Sequence, residues 1–286
     1  MSTSGLRFAS LTPAQKELIS TKKIDTAMTA EGWIAFMSPL AALDRAGDAK
    51  RGPIGCVSGL LFVGMFVTLV IGLFPVAAIL LVAAIILLVL WLRLKKHDIP
   101  NALREFVLPL IAVLREDIEP DESIHLRLDL RGGTQNDKKQ RAQVVNEKGY
   151  PKVSQDFFTD PWMHGQAKLV DGSTVSWDIV DDIRQRNVTK KNYRGKVKHK
   201  TKYKVRRTMG ARIALPNEDY TVAGSTDGRN EGLRIKVKEG EKRSVFQTRK
   251  RTVETAIDTS PEVGDLLALI TGAYQRVSPN HGGEKS

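Results

Sequence analysis

The chain has little of what most catalytic and metal-binding sites are made from. It holds one cysteine, Cys56, which excludes an internal disulfide and a cysteine cluster for a metal. None of its five histidines shows the spacing of metal ligands. Gly132-Gly133 and Gly282-Gly283 are isolated pairs, so no glycine-rich phosphate loop follows a strand pattern. From these absences we expect no enzyme activity, no cofactor and no metal.

Two acidic patterns leave room for chemistry. His125 and Asp129 fall on one face of a predicted strand and could exchange a proton, although a surface ladder of ion pairs with Arg127 and Arg131 is the favoured explanation. Asp178, Asp181 and Asp182 could bind a cation, but the arginines that follow them favour cross-strand pairing. An enzyme with an unrecognised active site therefore stays an alternative.

Charge is absent from the whole run between Gly52 and Leu92. A single helix of that length would measure roughly 60 Å, twice the ~30 Å thickness of the hydrocarbon core of a bilayer. Glycine and proline interrupt the run at Gly72-Leu73-Phe74-Pro75. We therefore predict a transmembrane hairpin over residues 52–94, with helices near Ile54–Ile71 and Pro75–Leu94 and a tight turn between them.

Basic residues flank this run on both sides, whereas the turn carries no charge. Because positive flanks stay on the cytoplasmic side, we expect a multi-pass protein of the plasma (inner) membrane, with both termini and the main domain in the cytoplasm. The residues expected to anchor it at the membrane interface are Trp33, Phe36, Trp91, Arg93, Lys95 and Lys96.

Other interpretations of the run remain open. It begins too far along the chain for a secretory signal peptide, but a hairpin buried in a soluble protein or a re-entrant hairpin fits its composition. Gly55 and Gly59 are four residues apart, which permits close helix contact and a homo-oligomer through the hairpin. Cys56 could be palmitoylated or could serve as a passive apolar side chain.

The residues before the hairpin divide into two predicted segments. Residues 1–28 are expected to be flexible, apart from a short helix that starts at Thr12-Pro13-Ala14-Gln15. Residues 29–50 show apolar residues at helical spacing and predict an amphipathic pre-membrane helix perturbed by Pro39. That helix could lie in the membrane interface or pack on the cytosolic domain.

Residues 100–286 predict a cytosolic β-rich domain with flanking helices. Residues 101–115 form an amphipathic helix interrupted by Pro109, and alternation from Ile124 to Leu130 indicates a strand. Asp171-Gly172 predicts a hairpin turn, and Ser260 is expected to cap a helix over 260–276. The fold class is therefore α+β: the hairpin, then seven to nine mainly antiparallel strands in a sandwich or partly open barrel. We expect 134–149 to be a loop and Gly210 to lie at a bulge.

Most of the net charge of +12 lies in one segment. Between Arg184 and Arg212 there are thirteen lysines and arginines and no acidic residue, so the rest of the chain is close to neutral. The centre of this segment alternates, and the period of a strand places six cations on one face. These candidate anion- or lipid-contact residues are Lys196, Lys198, Lys200, Lys202, Lys204 and Arg206.

Four interpretations of this basic strand remain open. It could dock the domain on anionic lipid headgroups, or bind nucleic acid with Tyr193 and Tyr203 as stacking residues, which the thin aromatic content disfavours. It could hold an acidic protein partner or help to assemble a scaffold. It could also be a solvated edge, where lysine prevents strands of other molecules from pairing. We favour a membrane-anchored binding or scaffolding module.

Overall fold

A computed structural model describes residues 8–96, 98–145, 150, 152–191, 194–222, 227–230 and 233–280; the side chains of residues 96 and 227–230 are outside that description. The chain forms two compact units. The first comprises Met1–Thr21 with Ala35–Ile99, and the second comprises Lys22–Ile34 with Pro100–Ser286. The unit boundaries differ from the predicted ones, because residues 22–34 belong with the β domain.

The first unit begins with a short helix, α1 (Pro13–Thr21). The Thr12 hydroxyl accepts a hydrogen bond from the Gln15 amide, and the Gln15 side chain accepts one from the Thr12 amide. This reciprocal pair is the capping box that the sequence predicts. Gln15 is buried and also donates to the carbonyl of Phe36 at 2.8 Å, so it fixes α1 against the following helix.

A single helix, α2 (Ala30–Val70), replaces the two helices predicted over 29–71. It continues through Pro39 and Pro53, since each proline removes one main-chain hydrogen bond and leaves the others in place. The Thr29 hydroxyl accepts a hydrogen bond from the Gly32 amide at its start. α3 (Phe74–Lys96) follows, and both helices are long and apolar enough to cross a membrane.

The turn between α2 and α3 lies where the sequence predicts it. Gly72 has a φ of 85°, a conformation that favours glycine. The amide of Leu73 donates to Thr68 and that of Gly72 to Leu69, which is the hydrogen-bond pattern of a Schellman motif. The two helices contact each other where the hydroxyl of Ser58 donates to the carbonyl of buried Ala84 at 3.2 Å.

The second unit is built on one antiparallel sheet of nine strands, in the order β1-β2-β4-β5-β6-β10-β9-β8, with β3 paired to β4. A two-stranded sheet pairs β7 with β11. The strands are β1 (Lys23–Thr29), β2 (Ser123–Asp129), β3 (Lys139–Val145), β4 (Lys152–Lys168), β5 (Thr174–Lys191), β6 (Val197–Pro216), β7 (Tyr220–Val222), β8 (Asp227–Asn230), β9 (Leu233–Glu239), β10 (Arg243–Glu254) and β11 (Val277–Pro279).

Nearly all the strands belong to one sheet, so the predicted sandwich is wrong, and helices pack against this sheet. α5 (Val263–Tyr274) lies against β6 and β10. A π-helical turn (Leu103–Val107) leads into α4 (Leu108–Leu114), and the buried Phe106 ring meets Trp162 edge-on at 6.0 Å. Alternation along a strand shows that one face is buried, but it cannot show whether helices or strands cover that face.

Three local predictions in this unit are wrong. Residues 139–145 form a strand and not a loop: every side chain of β3 is at least partly exposed, so no alternation marks it. Gly210 pairs in regular register, while the bulge lies between Pro161 and Met163 and adds Trp162 to β4. The hydroxyl of Ser260 donates to Glu105 and does not cap α5.

Candidate anion-binding surface

The basic strand of the sequence is the first half of β6. Lys196 precedes the strand, and the alternate residues from Lys198 to Arg206 lie on one face and are exposed. Arg207 lies on the opposite face and is buried. The period-two pattern thus separates the cations from a single buried arginine.

β5 adds further cations to the same face. Paired residues of antiparallel strands point the same way, about 5 Å apart. Arg184 lies opposite Lys204, and Arg186 lies opposite Lys202. Lys190 lies opposite Lys198, so the β5–β6 hairpin presents two rows of positive charge.

β10 and β9 extend the positive charge on the other side of β6. Gln247 of β10 lies between Arg212 and Lys236, and Arg249 lies opposite Arg234. We call the resulting surface the basic sheet face. Its cations are Arg141, Lys168, Arg184, Arg186, Lys190, Lys198, Lys200, Lys202, Lys204, Arg206, Arg212, Arg234, Lys236, Lys238, Arg243, Arg249 and Arg251.

Few carboxylates oppose this charge. Among the described side chains of these strands, Asp178 and Asp182 are the acidic residues on the same face. Asp182 accepts a hydrogen bond from the hydroxyl of Thr159 at 3.0 Å. The carboxylate of Asp178 lies over Gly210, where a β-carbon would be 3.1 Å from both of its oxygens. The face is therefore strongly positive across several strands.

Two aromatic rings on this face contact cations. The guanidinium carbon of Arg141 lies 4.2 Å from the centre of the Phe157 ring. Tyr150 lies 5.0 Å from the Lys190 ammonium and 5.9 Å from Arg186. Tyr203 is on the opposite face and packs against buried Phe158, so it cannot stack a base beside the lysines. Tyr193 lies outside the described residues.

Two buried ion pairs lie on the side of the sheet opposite the basic sheet face. The guanidinium of Arg207 makes two 2.8 Å hydrogen bonds with Asp181, its partner on β5. The ammonium of Lys138 lies 2.7 Å from Asp160, which pairs with Asp181 across β4 and β5. Burial raises the pKa of Asp160 in spite of the hydrogen bond from Lys138. The Arg207–Asp181 pair links β5 to β6 near the middle of both strands.

Of the predicted membrane-interface anchors whose side chains are described, one is fully buried and the others are at least partly exposed. Trp33 is not an anchor, because it is fully buried and its indole donates to the Ile124 carbonyl at 2.8 Å. Phe36 lies on α2 and is half-buried. Trp91 lies on α3, with the ammonium of Lys95 5.4 Å from its ring. Arg93 is exposed, and the side chain of Lys96 is outside the described part.

Two of the histidine and acidic residues that the sequence singled out contact side chains on neighbouring strands. His125 lies 2.9 Å from Asp25 of β1, and not beside Asp129. Asp181 pairs with Arg207, which the sequence did not indicate.

In the first unit, Asp44, Asp48 and Asp98 place carboxylate oxygens within 4.8 Å of one another. Arg51 contacts Asp48 at 3.3 Å and Asp98 at 2.9 Å, so it supplies positive charge to the cluster.

The sequence predicted the row of cations on β6, but it did not predict that cations of other strands lie on the same face. The alternation of Arg234, Lys236 and Lys238 with apolar residues was visible, but nothing local shows that β9 lies two strands from β6. Arg141 and Tyr150 lie in or beside a segment without any periodic signal. Sheet order, which depends on long-range pairing, decides which cations are neighbours.

Comparison of the chain with protein-family models, with curated proteins and with solved structures finds no match.

Proposed function

We propose that the protein is a membrane-anchored binding module whose basic sheet face binds the phosphates of anionic lipid headgroups. In this proposal the α2–α3 hairpin crosses the plasma (inner) membrane. Both termini and the β domain then lie on the cytoplasmic side, as the basic residues that flank the hairpin favour.

The exposure of the apolar helices supports the anchor. In the most apolar window of α2 6% of the residues are buried, and in that of α3 11%. A helix in the core of a soluble protein is mostly buried, whereas an exposed apolar hairpin needs another apolar phase around it. Lipid supplies that phase without a partner protein.

The convergence of cations from several strands on one face is the observation that carries the proposed binding. Each basic residue close to an anionic leaflet contributes about 1 kcal/mol, within a Debye length of about 8 Å. A sheet holds its side chains on a broad surface, so many of them can reach one membrane together. Tethering by the hairpin keeps the face at a high local concentration of headgroups.

The same face is a poorer match to nucleic acid. Single-stranded binding sites combine cations with aromatic side chains on which bases stack. Here the described aromatic rings on the face, Phe157 and Tyr150, already contact cations, and Tyr203 points away. Lipid phosphates need no stacking platform, so they fit the observed composition better.

The full chain in nanodiscs of neutral phosphatidylcholine tests the proposal. We expect it to bind separate liposomes that contain phosphatidylserine at low salt, to release them at high salt, and to ignore neutral liposomes. The double variant Lys200→Gln/Lys202→Gln should bind about 30-fold more weakly, because it removes about 2 kcal/mol.

The double variant Lys152→Gln/Lys242→Gln is the matched control. Both lysines are exposed and neither lies on the basic sheet face, so binding should change less than about twofold. Equal losses in both double variants, or no binding at low salt, would contradict the proposal. A preference for nucleic acid at equal phosphate concentration would contradict it as well. Release of the full chain from membranes by alkaline carbonate would overturn the anchor.

A further inference from the structure

The strand β6 is longer than its neighbour β10. β10 ends at Glu254, opposite Val205. Residues 197–204 therefore pair with β5 on one side, and no strand in the described part of the chain pairs with their other side. Among the described residues, the main-chain hydrogen-bonding groups along this edge therefore have no strand partner.

This edge is already ordered for pairing. Residues 197–204 are extended and in continuous register with residues 184–191 of β5. Cross-strand hydrogen bonds from the side chain of Thr201 to Asn187, and between His199 and Thr189, support the same register. An additional strand would thus join a formed sheet, which is the arrangement of β-strand addition.

The side chains select the strand that can be added. Lys198, Lys200, Lys202 and Lys204 lie on one face of the edge, whereas its other face carries uncharged residues such as Thr201 and Tyr203. A second copy of this edge would set lysine against lysine, which destabilises pairing. An extended segment with carboxylates at alternate positions would set opposite charges against each other on one face.

We propose that residues 197–204 bind an acidic peptide segment of a partner protein as an added β-strand. The segment takes the position that β10 leaves open beyond Glu254. Main-chain hydrogen bonds supply the pairing, and the lysines read alternate glutamates or aspartates. The inference does not depend on lipid binding, because it uses the strand edge and not only the charge of the sheet face.

Synthetic eight-residue peptides with alternating glutamate and threonine test the proposal on the full chain in neutral nanodiscs. Two further peptides of the same charge carry N-methyl groups on one or the other set of alternate amides. We expect the unmodified peptide to bind and to slow hydrogen exchange of the amides in residues 197–204. One N-methylated peptide should bind at least tenfold more weakly than the other, because only one set of amides faces the edge.

A change of charge on the protein provides a second measurement. The variant Lys200→Glu/Lys202→Glu should lose affinity for the glutamate peptide and gain affinity for the corresponding lysine–threonine peptide, whether or not its overall stability changes. Equal binding of all three glutamate peptides would reduce the interaction to nonspecific charge and overturn the inference. No peptide binding at low salt would also overturn it and would leave the lysines as protection of an edge.

The liposome experiment keeps the two proposals apart. Liposome binding without peptide binding supports the proposed function and overturns this inference. Peptide binding without liposome binding supports this inference and overturns the proposed function.

Discussion

At the scale of single residues, the carboxylate of Asp129 lies close to three cations, those of Lys23, Arg131 and Lys138. Burial alone would raise the pKa of Asp129, but the hydrogen bonds from Arg131 and from Lys138 outweigh that effect and lower the pKa to about 2. Arg131 contacts both oxygens of Asp129 and also reaches Asp137. This cluster lies between the end of β2 and the start of β3, where it holds the connecting segment onto the sheet.

The lowered pKa of Asp129 predicts a loss of stability in acid. The unfolded carboxyl titrates near its ordinary value of 3.8, and the folded one near 2. The ionised group therefore stabilises the fold above pH 4, and that contribution disappears as the pH falls from about 4 to about 2. The difference corresponds to about 2 kcal/mol.

Chemical unfolding of the full chain in detergent, followed by the fluorescence of its tryptophans, three of which are buried in the β domain, measures this effect. The variant Asp129→Asn should lose about 2 kcal/mol at pH 6 and much less at pH 2, whereas Asp121→Asn in an exposed turn should change neither value. The prediction fails if the two asparagine variants show the same pH dependence.

At the scale of elements, the hairpin turn between β4 and β5 holds the C-terminal helix. Asp171 accepts hydrogen bonds from the amide of Ser173 and from the hydroxyls of Tyr220 and Tyr274. The Tyr274 hydroxyl also lies 2.6 Å from that of buried Ser173. Burial and the Asp171 carboxylate raise the pKa of Tyr220 to about 12 and also raise that of Tyr274. Both phenols therefore stay protonated as donors near neutral pH.

Removal of the Tyr274 hydroxyl should loosen α5. The variant Tyr274→Phe deletes a donor to a carboxylate in a partly buried site, so we expect a loss of about 1–2 kcal/mol of unfolding free energy. Hydrogen exchange along residues 263–274 should accelerate. Tyr203→Phe, a matched change of a half-buried tyrosine in the Phe158 cluster, should cost less than about 0.5 kcal/mol. Similar losses of unfolding free energy in the two variants would contradict the role of the Tyr274 hydroxyl in holding α5.

Elements with local signals were predictable from sequence, and those defined by distant partners were not. The capping box at Thr12, the Asp171-Gly172 turn and the alternation of β2 depend on neighbours within a few residues. β1 pairs with a strand about a hundred residues away, so its segment read as flexible. The sequence predicted separate helices before and after Pro53, because proline is unfavourable inside a helix, whereas α2 continues through both Pro39 and Pro53.

At the scale of the whole molecule, the sheet concentrates like charge on neighbouring strands. Lys198 lies opposite Lys190, and Arg249 lies opposite Arg234. Such pairs repel each other in the folded state. The sequence revealed the net charge and one row of lysines, but the strand order turns separate rows into one surface, and no local pattern encodes that order.

Salt should therefore stabilise the β domain. Raising the sodium chloride concentration from 20 to 500 mM shortens the Debye length and weakens the repulsion, so the thermal unfolding temperature should rise by about 3 °C. The variant Lys200→Gln/Lys202→Gln should show a smaller rise than the wild-type chain, and Lys152→Gln/Lys242→Gln should match the wild type. Calorimetry in a nonionic detergent checks this, and a fall in the unfolding temperature of the wild type with salt would contradict it.

The extra residue at Trp162 sets the phase of β4. Before it, even-numbered side chains such as Phe158 and Asp160 point into the core, and after it odd-numbered ones such as Met163 do. A one-residue deletion in the first half of β4 would send that half's core residues into solvent, unless an insertion nearby restored the count. Length changes in homologous chains should thus occur in compensating pairs around this position, and an alignment that ignores them would assign core residues to the wrong face.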